Sequence, residues 1–435
     1  MPRVPPAACS ARSSGRAMDL AAAAAIETRT LSRMVPSGLP PQPPVPAPPS
    51  LADLHLVLFM TDGISLRIWE EAGMFEREVA LYRRLRPYLR ALTIVTYGDR
   101  WDAACRSRLP GIRIVCDRGL GPARYRDWIA RRLPRLWRGP TLVKTNQTAG
   151  ADTAFAAART AGAWFMARCG YMLSEACVHL HGPDSPQTQS ARALEAAVFP
   201  AADRCVVTAD AMRGSVLATG ADAGAVTVIP NYVDTDRFAP DPGARREPGP
   251  FRVAFIGRLV PQKNPLLLIE GLRGLDVALD VVGQGELLPA MRAAAQGMDV
   301  TFHGILPHLA LPALLRRADC FLLPSGYEGH PKALLEAMAC GLPVIGANRP
   351  GICEVVRHGR TGLLVEPEAD AIRDAVRTLA GDCGLRAALG RAAREEVLAT
   401  LSLERTVHNE LALYRDILAR PPKAAGAGGE APCPR

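Results

Sequence analysis

Short apolar runs alternate with amphipathic stretches along most of the chain. Helical patterns cover residues 74–86, 123–139, 153–163, 209–217 and 331–340, together with stretches after residue 266 and from 369 to 418. The apolar runs between them, of the kind that forms buried strands, cover 54–60, 92–96, 112–115, 142–144, 163–167, 204–208, 226–229, 251–256, 277–282, 300–303, 320–323 and 343–346. Strands that alternate with helices form parallel sheets covered on both faces. The pattern predicts an α/β fold whose ligands bind at the carboxyl ends of strands.

Changes in composition divide the chain. Residues 1–50 are rich in Pro, Ala and Ser and predict a disordered extension, because such a segment buries too little apolar surface to fold. A Pro- and Gly-rich stretch at 236–250 predicts a linker between a first domain (51–235) and a second (251–402). We expect the remaining chain to form a helix at 403–420 and a flexible tail at 421–435.

Two glutamates, at 328 and 336, lie at the helix predicted at 331–340. Glu328 lies on the loop before it, and Glu336 lies within it among apolar neighbours. A carboxylate near a helix start is ordinarily a cap, which accounts for Glu328 alone. Gly329 and Lys332 leave bare backbone amides and a cation at the helix start, an arrangement that favours phosphate binding. Two carboxylates beside a phosphate site indicate that hydroxyl groups are held, as in a sugar nucleotide.

A second loop carries two cations after the strand predicted at 251–256. It reads G-R-L-V-P-Q-K-N-P from residue 257, so that Arg258 and Lys263 lie at a strand end beside a helix start. This arrangement suits a diphosphate. By contrast, the G-Q-G at 283–285 has no third glycine at the dinucleotide spacing, and a tight strand-to-helix turn explains it.

These two loops resemble the donor-binding motifs of the group 1 family of retaining glycosyltransferases, in which two glutamates are separated by seven residues. The likeness extends over about residues 52–420 and is strongest in the second half. It implies a GT-B fold, with two Rossmann-like domains whose parallel sheets face each other across a cleft. It also implies transfer of a sugar, of the hexosyl type, from a nucleoside-diphosphate sugar to a hydroxyl of a glycan or lipid-linked acceptor. Retention at the anomeric carbon, a front-face displacement, and no cofactor or essential metal follow from the same resemblance.

The resemblance also assigns roles in the second domain. Glu328 would contact the transferred sugar and Glu336 the ribose, while Arg258 and Lys263 would hold the diphosphate. The donor-binding amides would be those of Gly329, His330 and Lys332, since Pro331 has no N–H to give. The backbone of Gly304 and Ile305 would lie beside the nucleotide base.

The first domain matches the family more loosely. Gly63, Lys144, Asn146 and Arg168 follow or end predicted strands, which favours an acceptor-side position in the cleft. The histidine that many members carry at a strand end has no equivalent near Arg168. We interpret His179 and His181 as loop histidines, since no third ligand lies near them in sequence. The D-x-D at 234–236 follows a P-N-Y-V-D turn and is interpreted as a capped turn, so no metal site is predicted.

The charge of one segment of the chain indicates which partners the protein can bind. Residues 81–138 contain fifteen Arg and no Lys against four Asp and no Glu. They form either the ordinary surface of a nucleotide-binding-type domain or a patch for an anionic membrane or polyanionic acceptor. A nucleic acid is disfavoured because no base-stacking module accompanies the charge.

Eleven scattered cysteines without a C-x-x-C pair indicate a reducing compartment. The predicted location is cytoplasmic, with peripheral contact at the inner face of the membrane as an open alternative.

Two other classes of protein stay open on this sequence. One is a non-catalytic sugar-nucleotide-binding protein on the same fold, which would bind a donor without turnover. The other is a nucleotide-sugar epimerase or a phosphorylase, which would need acid–base residues or a pyridoxal lysine site. The presence of Arg258, Lys263, Glu328 and Glu336 together favours sugar transfer, with polysaccharide biosynthesis as the expected setting.

Overall fold

The computed structural model describes residues 49–241 and 249–423. The extension predicted at 1–50 therefore lies almost wholly outside the described residues, as do most of the tail predicted at 421–435 and residues 242–248 of the predicted linker. All the described residues belong to one compact unit.

The first half builds a seven-stranded parallel sheet in the order β3-β2-β1-β4-β5-β6-β7. Its strands are buried because helices cover both faces. They are β1 (His55–Phe59), β2 (Ala91–Val95), β3 (Ile112–Val115), β4 (Thr141–Thr145), β5 (Trp164–Cys169), β6 (Arg204–Val207) and β7 (Val226–Val228). Its helices are α1 (Leu66–Glu71), α2 (Phe75–Leu85), α3 (Arg100–Ala104), α4 (Pro122–Arg131), α5 (Ala151–Ala161), α6 (Leu173–His181), α7 (Pro186–Ala201) and α8 (Asp210–Ala218).

Two sequence predictions in this half are wrong in detail. The helix predicted at 123–139 ends at Arg131 and continues only as a 3₁₀ turn at Leu133–Leu136. Pro134 explains this end, since it has no N–H to continue the helical ladder. His179 and His181 lie in the last turn of α6 and not in a loop.

The second half builds a six-stranded parallel sheet in the order β10-β9-β8-β11-β12-β13. Its strands are β8 (Phe251–Ile256), β9 (Val277–Val282), β10 (Asp299–Gly304), β11 (Cys320–Leu323), β12 (Val344–Ala347) and β13 (Leu363–Val365). The helices that follow are α9 (Pro265–Leu272), α10 (Leu288–Ala294), α11 (Leu311–Arg317), α12 (Lys332–Ala339), α13 (Ala369–Gly381), α14 (Cys383–Thr400) and α15 (Leu403–Leu418).

The two sheets share one topological feature. Strand order reverses between β1 and β4 in the first sheet and between β8 and β11 in the second. The loops after the two central strands leave toward opposite faces of the sheet at such a point. A crevice therefore opens at the carboxyl ends of these strands. The predicted pair of Rossmann-like parallel sheets is confirmed, and each sheet has its crevice between the strands that the candidate residues follow.

Helix α15 follows the second sheet in the chain but packs on the first. Its apolar positions, such as Leu403, Val407, Leu411 and Tyr414, join a core cluster with residues of β1 and α2. Their spacing of three and four residues places them on one face of the helix. The end of the described chain is therefore anchored to the first sheet.

No helix among residues 49–241 and 249–423 is long and apolar enough to cross a membrane.

Candidate active site

The two motif loops of the second domain meet at the crevice between β8 and β11. One loop follows β8 and carries Arg258 and Lys263, and the other follows β11 and carries Glu328. The Lys263 ammonium donates a hydrogen bond to the Glu328 carboxylate, although the two residues are 65 positions apart. Their side chains are 15% and 8% exposed, respectively. The structure thus brings the predicted diphosphate cation into contact with the predicted sugar-binding carboxylate.

Backbone contacts fix these two loops against each other. Asn264 adopts a left-handed conformation at φ 47°, and its side-chain amide donates to the carbonyl of Pro324 at 2.9 Å. The Gln262 carbonyl accepts from the amide of Gly326 at 2.9 Å, while its side-chain amide donates to the carbonyl of Tyr327 at 3.0 Å. A set of hydrogen bonds this dense orients the side chains that the loops carry.

Arg258 lies on the same loop as Lys263, with an exposed side chain. Its guanidinium lies 3.5 Å from the Gln262 side-chain oxygen. Because Gln262 is itself bound to the loop after β11, both predicted phosphate-binding cations belong to one connected structure.

Glu336 is buried inside the site, with a side chain only 2% exposed. One carboxylate oxygen lies 2.8 Å from His308 Nε2 and 4.0 Å from the Arg77 guanidinium, which comes from α2 of the first domain. Its other oxygen has no hydrogen-bond partner among the described residues. A cavity of about 10 Å³ lies beside it, lined in part by Tyr232. Glu336 is therefore not a helix cap, since a histidine and an arginine hold it in the interior.

The loop before α12 also contacts the first domain through its backbone. A Cβ atom on Gly329 would lie 2.5 Å from the Gly170 carbonyl oxygen, so only glycine permits this approach. The His330 carbonyl accepts from the Asn231 side chain at 2.8 Å. Burial, with the charges of Arg168 and Lys332, lowers the pKa of His330 to about 4. The ring is therefore neutral at pH 7.

Lys332 forms an ion pair across the two domains. Its ammonium donates to Glu78 on α2 at 2.6 Å, and Glu78 also accepts from Arg77 at 3.0 Å. Burial lowers the pKa of Lys332 to about 8, although Glu78 opposes this shift. Burial alone raises the pKa of Glu78, but Lys332 and Arg77 outweigh it and lower that pKa to about 2.

Gly304 and Ile305 lie where β10 ends, at the rim facing the first domain. Gly304 has φ 66°, which favours glycine, and its carbonyl accepts from the Gly283 amide. The Ile305 side chain is 42% exposed and borders Gly73, which precedes α2. Gly73 in turn accepts at its carbonyl from the amide of His308 at 3.0 Å. The residues predicted to lie beside the base therefore line a contact between the domains.

Among the residues predicted to lie on the acceptor side, Arg168 and Asn146 reach the site. The Arg168 guanidinium donates to the Asn146 carbonyl at 3.3 Å and to the Asn231 side chain at 2.9 Å. Since Asn231 donates to His330, this chain of hydrogen bonds links the carboxyl edge of the first sheet to the loop before α12. Gly63, at φ 74°, lies on the loop after β1 with open space around its Cα.

Lys144 does not reach this site. Its side chain is fully buried, and its ammonium donates to Glu410 of α15 and lies 3.5 Å from the Tyr414 hydroxyl. The prediction from its place on β4 fails because the side chain turns into the contact with α15. Asp234, of the D-x-D, accepts at its side chain from the Arg237 amide and caps a turn.

Several residues in contact with the predicted ones carried no site prediction. They are Arg77, Glu78, Asn231 and His308. Asn231 had a signal, because it lies in the P-N-Y-V-D segment after the last strand of the first sheet. In the sequence, Arg77 and Glu78 look like ordinary charged residues on the polar face of an amphipathic helix. Only their contacts with the second domain distinguish them from other such residues.

Comparison with protein-family models gives two adjacent matches. Residues 241–396 match the model described as glycosyl transferases group 1. Residues 81–237 match the model described as glycosyltransferase family 4. The first match contains both motif loops of the second domain.

Curated relatives match this chain over part of their length. The chain is 37% identical over 200 residues to a GDP-mannose-dependent α-(1-6)-phosphatidylinositol monomannoside mannosyltransferase of Mycolicibacterium smegmatis, covering 40% of this chain and 52% of that protein. It is 34% identical over 268 residues to a D-inositol 3-phosphate glycosyltransferase of Salinispora arenicola, covering 54% of this chain and 60% of that protein. The chain thus spans little more than half the length of these relatives.

Solved structures share the fold over most of the chain. HepE of Anabaena, in complex with UDP and glucose, has a TM-score of 0.66 at 17% identity, covering 83% of this chain and 99% of that one. Sucrose-phosphate synthase of Thermosynechococcus elongatus has a TM-score of 0.69 at 20% identity, covering 84% and 99%. At this identity the likeness concerns the fold, and the predicted GT-B architecture is confirmed.

Proposed function

The chain belongs to the group 1 family of glycosyltransferases, and from that premise we propose that it transfers a sugar from a nucleoside-diphosphate sugar to a hydroxyl of a glycan or lipid-linked acceptor. One observation carries the proposal, namely the contact of Lys263 with Glu328 at the crevice between β8 and β11. A cation for a phosphate and a carboxylate for sugar hydroxyls lie together where an open parallel sheet binds its ligands.

In this proposal the second domain binds the donor. Arg258 and Lys263 offset the charge that develops on the departing diphosphate, together with the free amides at the start of α12. Glu328 orients the sugar, and Glu336 binds the ribose with the carboxylate oxygen that lacks a partner among the described residues. Catalysis then depends on positioning and on charges fixed before the reaction.

Donor entry requires the two domains to separate. Lys332 is paired with Glu78, Asn231 with His330, and the ring of Tyr327 stacks on His179 of α6 at 4.5 Å. These contacts bring the first domain directly over the loop that carries Glu328. The diphosphate would take the place of Glu328 at the Lys263 ammonium as the domains open.

We further propose that the sugar is transferred with retention of anomeric configuration and without an essential metal or cofactor. Support comes from the group 1 match and from the two protein cations at the crevice, which can offset phosphate charge. The relatives' names make GDP-mannose the first donor to test, and phosphatidylinositol monomannoside and D-inositol 3-phosphate the first acceptors. The cytoplasmic location and any contact with the inner face of a membrane stay predictions.

The test is a transfer assay with the purified chain. GDP-mannose and a panel of UDP- and ADP-sugars are supplied in EDTA with each acceptor, and product and released nucleoside diphosphate are quantified. We expect one donor to give product, with the anomeric configuration of the donor by NMR. An inverted product, or activity that EDTA abolishes, would overturn the finer proposal. Donor binding without turnover of any acceptor would favour the non-catalytic alternative.

A further inference from the structure

A pocket of about 260 Å³ lies at the edge of the first sheet opposite the candidate active site. The active-site loops follow the carboxyl ends of strands, whereas this pocket lies where β1, β2 and β3 begin and where the chain enters β4. Its volume exceeds by far that of a single water, so it can admit a phosphate group. The side chains that characterise it are Arg86, Arg90, Arg113, Arg138, His55 and Trp137.

The four arginines of this pocket form no salt bridge among the described residues, whereas several arginines elsewhere in the segment do. Five of the fifteen arginines at 81–138 form ion pairs with carboxylates, as Arg83 and Arg108 do with Glu76. The carboxyl group near the four arginines is that of the exposed Asp53, whose pKa is lowered mainly by hydrogen bonds from Ser50 and to a smaller extent by the charge of Arg90. Four of the ten arginines of the segment that have no salt bridge among the described residues therefore line one concave site.

Three of the four guanidiniums donate to backbone carbonyls, and that of Arg138 does so to Arg135 at 3.1 Å and Trp137 at 3.3 Å. Arg86 donates to the carbonyl of Gly111 at 2.6 Å and to that of Leu89 at 2.8 Å. Arg90 donates to the carbonyl of Asp53 at 3.0 Å and to that of Arg138. Carbonyls fix the position of a guanidinium but do not neutralise its charge. Such preorganised forks suit the oxygen atoms of a phosphate.

We propose that this pocket binds a phosphate-bearing ligand, either the headgroup of an anionic lipid or a soluble phosphate ester. The ring of Trp137 and the side chain of Leu136, which is 63% exposed, border the guanidiniums and offer apolar contact at the rim. The site does not depend on the proposed sugar transfer, because it shares no residue with the donor crevice.

His55 provides a local reporter of this binding. It is a buried residue of the pocket lining, with its Nε2 2.8 Å from the Thr93 hydroxyl. Burial, with the charges of Arg90 and Arg113, lowers its pKa to about 4. An anion between the guanidiniums offsets their charge, so it raises the pKa of His55 toward its ordinary value.

The experiment follows the His55 ring by NMR in the full chain, with His55→Gln used for assignment. Inorganic phosphate is titrated in one arm, and vesicles of phosphatidylcholine with or without phosphatidylglycerol are added in the other. The pocket variant is R113Q/R138Q, and the matched control is R106Q/R132Q. The control removes two exposed arginines from the same segment outside the pocket.

We expect saturable binding that raises the His55 pKa in the wild-type chain, and an affinity at least ~10-fold lower in the pocket variant but unchanged in the control. Binding of phosphatidylglycerol vesicles identifies a lipid headgroup as the ligand, whereas a response to phosphate alone identifies a soluble ester. The absence of any response in the wild-type chain would overturn the proposal, as would an equal loss in both variants. Thermal unfolding of the two variants checks that the fold is retained.

Discussion

Two lysine–glutamate pairs, one beside each sheet, have opposite surroundings. Lys263 and Glu328 join two loops at the crevice of the second sheet and keep 15% and 8% of their side-chain surface exposed. Lys144 and Glu410 join β4 to α15, with exposures of 0% and 2%. The first pair lies on loops at the carboxyl edge of the second sheet, whereas the second is buried between a strand and a helix. A lysine–glutamate ion pair therefore belongs to a candidate site in the first case and joins two packed elements in the second.

Replacing Lys144 should have the largest effect, and on stability. Lys144→Met leaves the Glu410 carboxylate buried without its partner, which costs about 3–5 kcal/mol of unfolding free energy. Urea denaturation measures this loss. The double variant K144M/E410Q should recover part of it. If K144M is as stable as the wild type but cannot transfer sugar, the result would contradict this account and support the prediction that Lys144 belongs to the active site.

Replacing Lys263 or Glu328 should instead lower turnover. If each supplies ~3 kcal/mol of transition-state stabilisation, K263A or E328Q lowers kcat by at least ~100-fold. Initial rates with the preferred donor measure the effect. Glu270→Gln is the matched control, since Glu270 is exposed near the end of α9. Wild-type turnover by both site variants would contradict the assignment.

The Glu78–Lys332 pair between the domains predicts a pH-dependent contribution to stability. The pKa of Glu78 falls from 4.5 to about 2 on folding, so its contribution is fully present above pH 4.5 and is lost as the pH falls toward 2. Glu78→Gln should cost about 1–3 kcal/mol at pH 7, and the difference from the wild type should narrow below pH 4.5. Urea unfolding at several pH values measures it.

The control for this prediction is Glu71→Gln. Glu71 forms an exposed pair with Arg67, so its replacement should change the unfolding free energy by less than ~1 kcal/mol at any pH. If the difference in unfolding free energy between E78Q and the wild type stays constant from pH 7 to pH 3, the Glu78 charge does not stabilise the contact.

Replacing Arg168 should have the smallest effect on activity. The effect is expected because the hydrogen bonds of Arg168 help to position the loop before α12. Arg168→Gln removes the hydrogen bonds to Asn146 and Asn231, which we expect to lower kcat/KM by ~10-fold, at a cost of ~1.4 kcal/mol. The exposed Arg124 of α4, changed to Gln, is the control. If R168Q leaves kcat/KM unchanged, this chain of hydrogen bonds does not position the loop before α12.

The sequence predicted most of both sheets because their buried strands are continuous apolar runs. The runs at 251–256, 277–282 and 320–323 coincide with β8, β9 and β11 as observed. The three-residue strand β13 was not predicted, although its residues are all apolar. Helix α7 was not predicted either, although Ser185 caps its first turn by accepting from the Thr188 amide.

The site was predictable where its residues are close in sequence or lie on loops of adjacent strands. The meeting of Lys263 and Glu328 follows from strand order, since β8 and β11 are neighbours. Contacts between the domains had no local signal. Glu78 and Lys332 are 254 positions apart, and Lys144 turns toward a helix 266 positions away. The direction of a side chain at a strand end depends on what packs over it, and no local pattern records that.

The most direct test of the donor site is calorimetric titration of the wild-type chain, K263A and E270Q with GDP-mannose and UDP-glucose in EDTA. The account predicts that one nucleotide sugar binds the wild type and E270Q with equal affinity. It also predicts at least ~10-fold weaker binding to K263A, because that variant lacks the ammonium proposed to contact the diphosphate. Equal affinity for all three proteins would contradict the account, since the donor would then bind away from the crevice between β8 and β11.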